Sequence, residues 1–285
     1  MEENKIKRLL IELLAPQFMI FNLCFVYIGM LFAPSLTPAV IALITIAFVS
    51  ARSAGVIMNR YVGREQDMAN PKKAGRRVSL KMQKRSVIAL FAIFSSTFIV
   101  CAYLLNTLSL LLAPLVLALF VVDPVSKSYT NKRHFWLGTI ESIDVMAGYI
   151  GATGAFPPIP AIYVLMIGII LVGVGLDSMI SIVHADFDRE HKLKSFASTL
   201  GVRKALDISL YSHIAAAALI MVFAIMAGGP VVLAGAVISS AVLLVQHINV
   251  NTTDDLSVVR RVALFNTLAS FTLLVSVAIS AAFIW

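Results

Sequence analysis

Two stretches of the chain concentrate side chains that bind cations or phosphate. The first reads Asn59-Arg60-Tyr61-Val62-Gly63-Arg64-Glu65-Gln66-Asp67 and continues with Asn70-Pro71-Lys72-Lys73-Ala74-Gly75-Arg76-Arg77. The second has Asp177, then His184-Ala185-Asp186-Phe187-Asp188-Arg189-Glu190-His191-Lys192-Leu193-Lys194-Ser195. Carboxylate and carboxamide oxygens suit a hard divalent cation, and lysine and arginine suit phosphate oxygens. By the 3.6-residue period, positions 52, 59, 63 and 67 lie close to one helix face, so Arg52, Asn59 and Asp67 can line one groove if the helix runs beyond the apolar segment. Positions 177, 184 and 188 share a face in the same way. Asp186 is two positions from both His184 and Asp188 and points elsewhere if the helix persists. Two such faces set against each other build a metal or phosphate site. Solvated anchoring at helix ends explains the same charges one at a time, and spacing does not separate the two roles.

The elements that must carry these residues are set by a composition unsuited to water. Of 285 residues, 59% are hydrophobic and 13% charged, which predicts an all-α, polytopic membrane protein forming a single membrane domain over residues 1–285. Runs long enough to cross a core of about 30 Å as helices fall near 16–34, 37–58, 86–105, 107–123, 135–153, 160–182, 207–227, 230–248 and 262–284. The fifth holds Glu141 and Asp144, and ionisable groups inside a span are costly unless paired or facing water. The connections around Ala33-Pro34-Ser35, Asn106-Thr107, Phe156-Pro157-Pro158 and Gly228-Gly229-Pro230 carry no Lys or Arg, and all 23 basic residues fall in the N-terminus, in the other connections or at adjoining helix ends. That alternation places the N-terminus and the long connections 59–86 and 184–206 in the cytoplasm, and Trp285 on the opposite side.

The net charge of +8 therefore reads as topology and as a candidate anion site. No interleaving of aromatic and basic residues supports nucleic-acid binding. Lys5, Lys7 and Arg8 precede an apolar run longer than a signal-peptide core and without a cleavage site, so that run reads as an uncleaved first span. Cys24 and Cys101 are isolated in apolar spans and imply packing.

Taken together, these residues resemble the UbiA superfamily of intramembrane prenyltransferases. Asn59-Arg60-x-x-Gly63-Arg64-x-x-Asp67 with Asn70-Pro71-Lys72-Lys73-Ala74-Gly75-Arg76 is similar to the family's first signature, preceded by Ala51-Arg52-Ser53-Ala54. Tyr129-Thr130-Asn131-Lys132-Arg133 looks like its Tyr-x-x-Lys-Arg element, and Gly175-Leu176-Asp177 with His184 through Arg189 and Leu193-Lys194-Ser195 resembles the second signature. The resemblance implies a bundle of about nine transmembrane helices and an enzyme similar to 4-hydroxybenzoate polyprenyltransferase. Such an enzyme removes diphosphate from a polyprenyl diphosphate and joins the chain to an aromatic or quinone-precursor acceptor within the lipid. It further implies Mg²⁺ held by the two motifs, with Asn59, Asp67, Asp186 and Asp188 as metal candidates and Asp67, Asp188 and His184 as catalytic candidates. Arg52, Arg60, Arg64, Tyr129, Lys132, Arg133, Asp177 and Lys194 are candidates for substrate contact, Arg52 facing an acceptor carboxylate or a buried acid.

The chain departs from that pattern at two places. Gly63 stands where the first motif expects its middle aspartate, and His184 stands where the second motif begins. Each change removes a negative charge, and imidazole is a poor ligand for Mg²⁺. The expectation is therefore fewer ions than the usual two, or another divalent metal, with a protonated His184 replacing part of the lost charge. Three readings are open: an active but rebuilt site, a protein that binds prenyl diphosphate or quinone lipid without turnover, and an anionic-lipid transporter, which the resemblance disfavours. Charge placement itself makes a prediction that reporter fusions check. A reporter active only in the cytoplasm should be active when fused within 184–206 and silent when fused after Trp285.

Overall fold

The computed structural model describes residues 11–13, 15–76, 81–126, 128–249 and 257–284, and all secondary structure among them is helical. In chain order the elements are α1 (Pro16–Leu31), α2 (Pro38–Val62), α3 (Arg64–Ala69), a 3₁₀ turn (Pro71–Arg76), α4 (Lys84–Leu105), α5 (Thr107–Ser126), α6 (Arg133–Thr153), α7 (Pro160–Ile182), α8 (Ala185–Glu190), α9 (Phe196–Leu200), α10 (Val202–Ala227), α11 (Pro230–Asn249) and α12 (Ser257–Ile284). Nine of these described helices are long, and they coincide with the nine expected spans within a few residues. Seven are long and apolar enough to cross a membrane unaided. Of the other two, α1 is apolar but has only 16 residues, and α6 carries Arg133, Glu141 and Asp144.

Proline opens α1, α2, α7 and α11, where its missing N–H would have had no intrahelical partner. The N–H of Val40 donates to the Thr37 hydroxyl at 3.3 Å, capping α2. At the far end of α6, Gly154 takes a left-handed φ of 72° and ends the helix.

The most buried helix is α7, packed between α6 and α10, while α1 lies on α6, α12 on α1 and α11 on α12. Phe21, Ile28, Ile162, Leu165, Ile169, Phe223 and Leu273 fill the interior of this ring. A second group, α2 with α4 and α5, leans against α6. Its outer faces show Ile88, Ile93, Val100, Leu104, Leu111 and Leu115 to the surroundings, as lipid-facing helices do. The Asn106 amide between α4 and α5 donates to the carbonyls of Ile150 (2.9 Å) and Gly151 (3.2 Å), fastening this group to α6 at the end remote from the basic residues.

In lipid the apolar side chains gain little by leaving their solvent, so helix association rests on close packing and interhelical hydrogen bonds. The crossing of α1 and α6 shows this. A Cβ on Gly29 would lie 1.8 Å from the carbonyl oxygen of Val145, and a Cβ on Gly148 would lie 1.9 Å from that of Val26. Neither neighbour can yield, because both are helix backbone. Gly148→Val should therefore destabilise the bundle by about 1–3 kcal/mol or more, read as a lower thermal unfolding midpoint in detergent.

Candidate active site

The first polar stretch keeps nearly helical register beyond the end of α2. Gly63 donates its N–H to the Asn59 carbonyl at 3.0 Å, and Asp67 donates to the Gly63 carbonyl at 2.8 Å, so α3 continues where α2 stops. Asn59, Gly63 and Asp67 therefore follow one another at one-turn intervals. Asp67 is buried and ion-paired with Lys73, which the 3₁₀ turn brings back toward it. Asn70 makes that return: its Oδ1 accepts from the Lys72 N–H at 3.0 Å, and its Nδ2 lies 3.4 Å from His184 Nδ1.

That last contact joins residues 114 apart in sequence. Beside it, Lys72 Nζ donates to the Val183 carbonyl at 2.8 Å, at the C-terminal end of α7 where the helix dipole favours a cation. The structure thus brings the two polar connections together. Within the second, Asp188 donates its N–H to the His184 carbonyl (2.8 Å) and accepts at its own carbonyl from Leu193 (2.8 Å), so α8 holds His184 and Asp188 one turn apart. Asp186 is not brought in. Its side chain is 80% exposed and bonded to Arg189 at 2.9 Å, the outward direction expected of a persistent helix.

The stretch 128–133 docks on the same end. Lys194 Nζ donates to the Tyr129 carbonyl at 3.0 Å, and the Asn131 amide donates to Thr199 Oγ1 at 3.2 Å. The Tyr129 side chain and Lys132 are exposed. Arg133 and Asp177, both expected to meet substrate, are instead engaged with each other inside the bundle. Arg133 donates to Asp177 Oδ2 at 3.0 Å, and His134 Nδ1 lies 2.6 Å from the same oxygen. His134 Nε2 accepts the Phe196 N–H at 3.0 Å, which leaves the ring proton on Nδ1, donated to Asp177. The imidazole also stacks on the Phe196 ring at 4.3 Å between centroids.

Arg60 and Arg64 follow Asn59 and Gly63 by one residue, a rotation of about 100° around the helix. They face the other way. Arg60 donates to the Glu12 carbonyl at 2.9 Å and Arg64 to the Met82 carbonyl at 3.2 Å, and both line a shallow surface hollow with Leu13 and Tyr61. Arg52 is half-buried, its Cζ 5.8 Å from the Phe120 ring centroid, and it acts electrostatically on Glu141 and Asp144 of α6.

The donors do not fit a pair of Mg²⁺ ions. Position 63 offers no ligand, position 184 offers an imidazole facing Asn70, Asp67 is matched by an ammonium, and Asp186 points outward. Among the described residues no three His, Cys, Asp or Glu are grouped as a metal site.

The sequence profile of the UbiA prenyltransferase family matches residues 22–271, and the chain belongs to that family. It is an integral, multi-pass membrane protein. A 4-hydroxybenzoate octaprenyltransferase of Aeromonas salmonicida is 28% identical over 151 residues, 53% of this chain and 52% of that protein. The chain thus spans about half the length of the curated relatives it matches. The apo structure of a UbiA homolog from Aeropyrum pernix K1 superposes with a TM-score of 0.81 at 28% identity, covering 92% of this chain and 98% of that one. A UbiA homolog from Archaeoglobus fulgidus bound to DMAPP and Mg²⁺ superposes with a TM-score of 0.74 at 14% identity, covering 95% and 99%, a likeness of fold.

The sequence reading placed Asn70 and Lys73 in the first polar stretch without giving either a role, and it missed His134 as a member of this end of the bundle. For His134 a signal existed: Asp177 inside a span demands a partner, and Arg133-His134 begins the neighbouring span at the same end. Because Arg133 and Asp177 are both 8% exposed, removing one leaves the other's charge buried. Arg133→Leu should cost about 3–5 kcal/mol, seen as a lowered melting midpoint in detergent, whereas Lys132→Ala should leave that midpoint unchanged.

Proposed function

We propose that the protein transfers a prenyl group from a prenyl diphosphate, bound at the basic end of the bundle, to an acceptor held deeper among the helices. The observation that carries this reading is the meeting of the two polar connections through Asn70–His184 and Lys72–Val183, with Asp67 and Lys73 alongside. The basic end faces the cytoplasm in this reading, so the diphosphate enters from water and the prenyl chain lies along the apolar helices.

When the allylic carbon–oxygen bond breaks, its electron pair leaves with the diphosphate and positive charge grows on the prenyl carbon. Preorganised cations directed at the diphosphate lower that barrier. Lys72 and Lys73 are fixed here by their partners and stand at the junction, and Lys194 anchors on the adjoining loop. His184 and Asp188 occupy adjacent turns of the second connection, opposite Asn70. Their roles are to hold the lysines and the diphosphate in register, and the reading implies weaker dependence on Mg²⁺ than a four-aspartate site has.

A second reading, binding of prenyl diphosphate or a quinone lipid without turnover, is favoured by the two specific losses at Gly63 and His184. One assay separates them. Purified protein with geranylgeranyl diphosphate, an acceptor panel and Mg²⁺, Mn²⁺ or no metal should release diphosphate. Lys73→Ala should lower the rate about 10²–10³-fold, and Asp67→Ala and Asp188→Ala should abolish it. Tight binding with no release by the wild type, and release only after Gly63→Asp with His184→Asp, would establish the second reading.

A further inference from the structure

Arg60 and Arg64 have no part in the proposed reaction, because they turn away from the junction of the two polar connections. Both are half-buried, and each is fixed on a different neighbour: Arg60 on the carbonyl of Glu12 ahead of α1, Arg64 on that of Met82 ahead of α4. A backbone carbonyl holds a guanidinium in place without cancelling its charge. Among the described residues Arg64 enters no ion pair, and Met82 takes one of its five N–H donors. Solvated anchors extend singly into water with their stems along apolar surface. These two, one helical turn apart, converge instead on the shallow hollow between the α2–α3 junction, residues 11–13 and the start of α4.

The hollow lies where the apolar core gives way to lipid headgroups. A core of about 30 Å takes about 20 helical residues, and α2 begins at Pro38, so Ile57 stands near the edge of the core and Arg60 just beyond it. The walls change chemistry at the same level. Leu13, Ile57 and Val87 make the inner side apolar, and Arg60, Arg64 and Tyr61 make the outer side polar, with tyrosine at its common interfacial position. Ile11, Val62 and Ile88, on the same three segments, are exposed as lipid-facing side chains are. A ligand suited to this hollow is anionic at one end and apolar at the other.

The charge of the three segments agrees. Residues 11–13, 57–65 and 81–87 hold five cations, Arg60, Arg64, Lys81, Lys84 and Arg85, against two acids, Glu12 and Glu65, so the corner is basic on balance. Guanidinium forks match the oxygens of a phosphate, and basic hollows between membrane helices attract anionic headgroups. We infer that this hollow binds the phosphate of an anionic phospholipid from the leaflet at the basic end, with the acyl chains descending along α2 and α4. The site is separate from the diphosphate junction, being about 100° around the helix from Asn59 and Gly63, and it does not depend on prenyl transfer.

The purified protein in neutral detergent is offered equal amounts of phosphatidylglycerol and phosphatidylcholine with the same acyl chains, and the retained lipids are counted by native mass spectrometry. Phosphatidylglycerol should be retained about 20-fold over phosphatidylcholine. Arg64→Gln should lower that preference about fivefold, and Arg60→Gln with Arg64→Gln should nearly abolish it. Arg203→Gln with Lys204→Gln, which removes two exposed cations from the start of α10 at the same end, should leave it in place. If the double arginine variant does not fold, the wild type and Arg64→Gln carry the test. Equal retention of the two lipids by the wild type, a preference unmoved by Arg64→Gln, or an equal fall in both double variants overturns the inference. So does displacement of phosphatidylglycerol by an equal concentration of inorganic phosphate, which would make the hollow a site for the free ion.

Discussion

An ionised carboxylate inside a membrane bundle is costly unless its counter-charge lies within the protein, and Asp177 finds one in Arg133 and His134. That buried cluster fixes more than two side chains. It locks α6 to α7 at the basic end, and through the Phe196 N–H on His134 Nε2 it draws in α9 and the connection that carries His184 and Asp188. Once α7 is fixed in rotation and depth, Val183 presents its carbonyl to Lys72, and the first connection closes over the second. At the other end Asn106 holds the α4–α5 turn against α6. The two fastenings sit at opposite ends of α6, so that helix is the common wall between the ring of α7, α10, α11 and α12 and the peripheral group of α2, α4 and α5.

The spans were legible because hydropathy, proline starts and one-sided basic charge all report on the same segments. The two signatures were legible as residue types at one-turn spacing, and the register across Gly63 holds that spacing. What could not be read was rotation. Arg60 and Arg64 look like phosphate ligands because they adjoin Asn59 and Gly63, but one residue along a helix is about 100° around it, and they bond to Glu12 and Met82 instead. Asp177 and Arg133 look available for substrate until the packing of α6 on α7 brings them into contact. Asp186 was separable in advance, since the helical period alone turns it outward. Pairings between helices depend on crossing depth as well as rotation, and a one-dimensional pattern contains neither.

The departures at positions 63 and 184 have a physical counterpart in how this end of the bundle is charged. A site of four aspartates needs divalent cations before an anion can approach. Here two aspartates are gone, Asp67 is already matched by Lys73, and Lys72 is fixed on a helix C-terminus nearby. The local balance has moved from acidic toward basic, so in the proposed reaction a diphosphate meets two carboxylates fewer than the family pattern presents. His184 fits this shift as a neutral or cationic neighbour of Asn70, where an aspartate would have restored repulsion.

The opposite shift occurs about three turns deeper. Along α6 the side chains pass from Arg133 and His134 through Glu141 to Asp144, so the polar lining changes sign with depth from basic to acidic. Such a gradient suits a reaction that separates charge. In the proposed transfer the leaving diphosphate gains negative charge at the basic end, while positive charge grows on the prenyl carbon. An isolated cation in hydrocarbon has nothing to stabilise it, and the acid groups of Glu141 and Asp144 lie on that deeper side, about 12 Å or more along α6 from Arg133. Glu141 and Asp144 are tolerated in a span because α6 faces inward along its length, walled by α1, α2 and α7, and the glycines at 138 and 173 leave the room that a carboxylate needs. The same residues that make α6 too polar to count as a simple span are therefore those that line the interior of the bundle with polar groups.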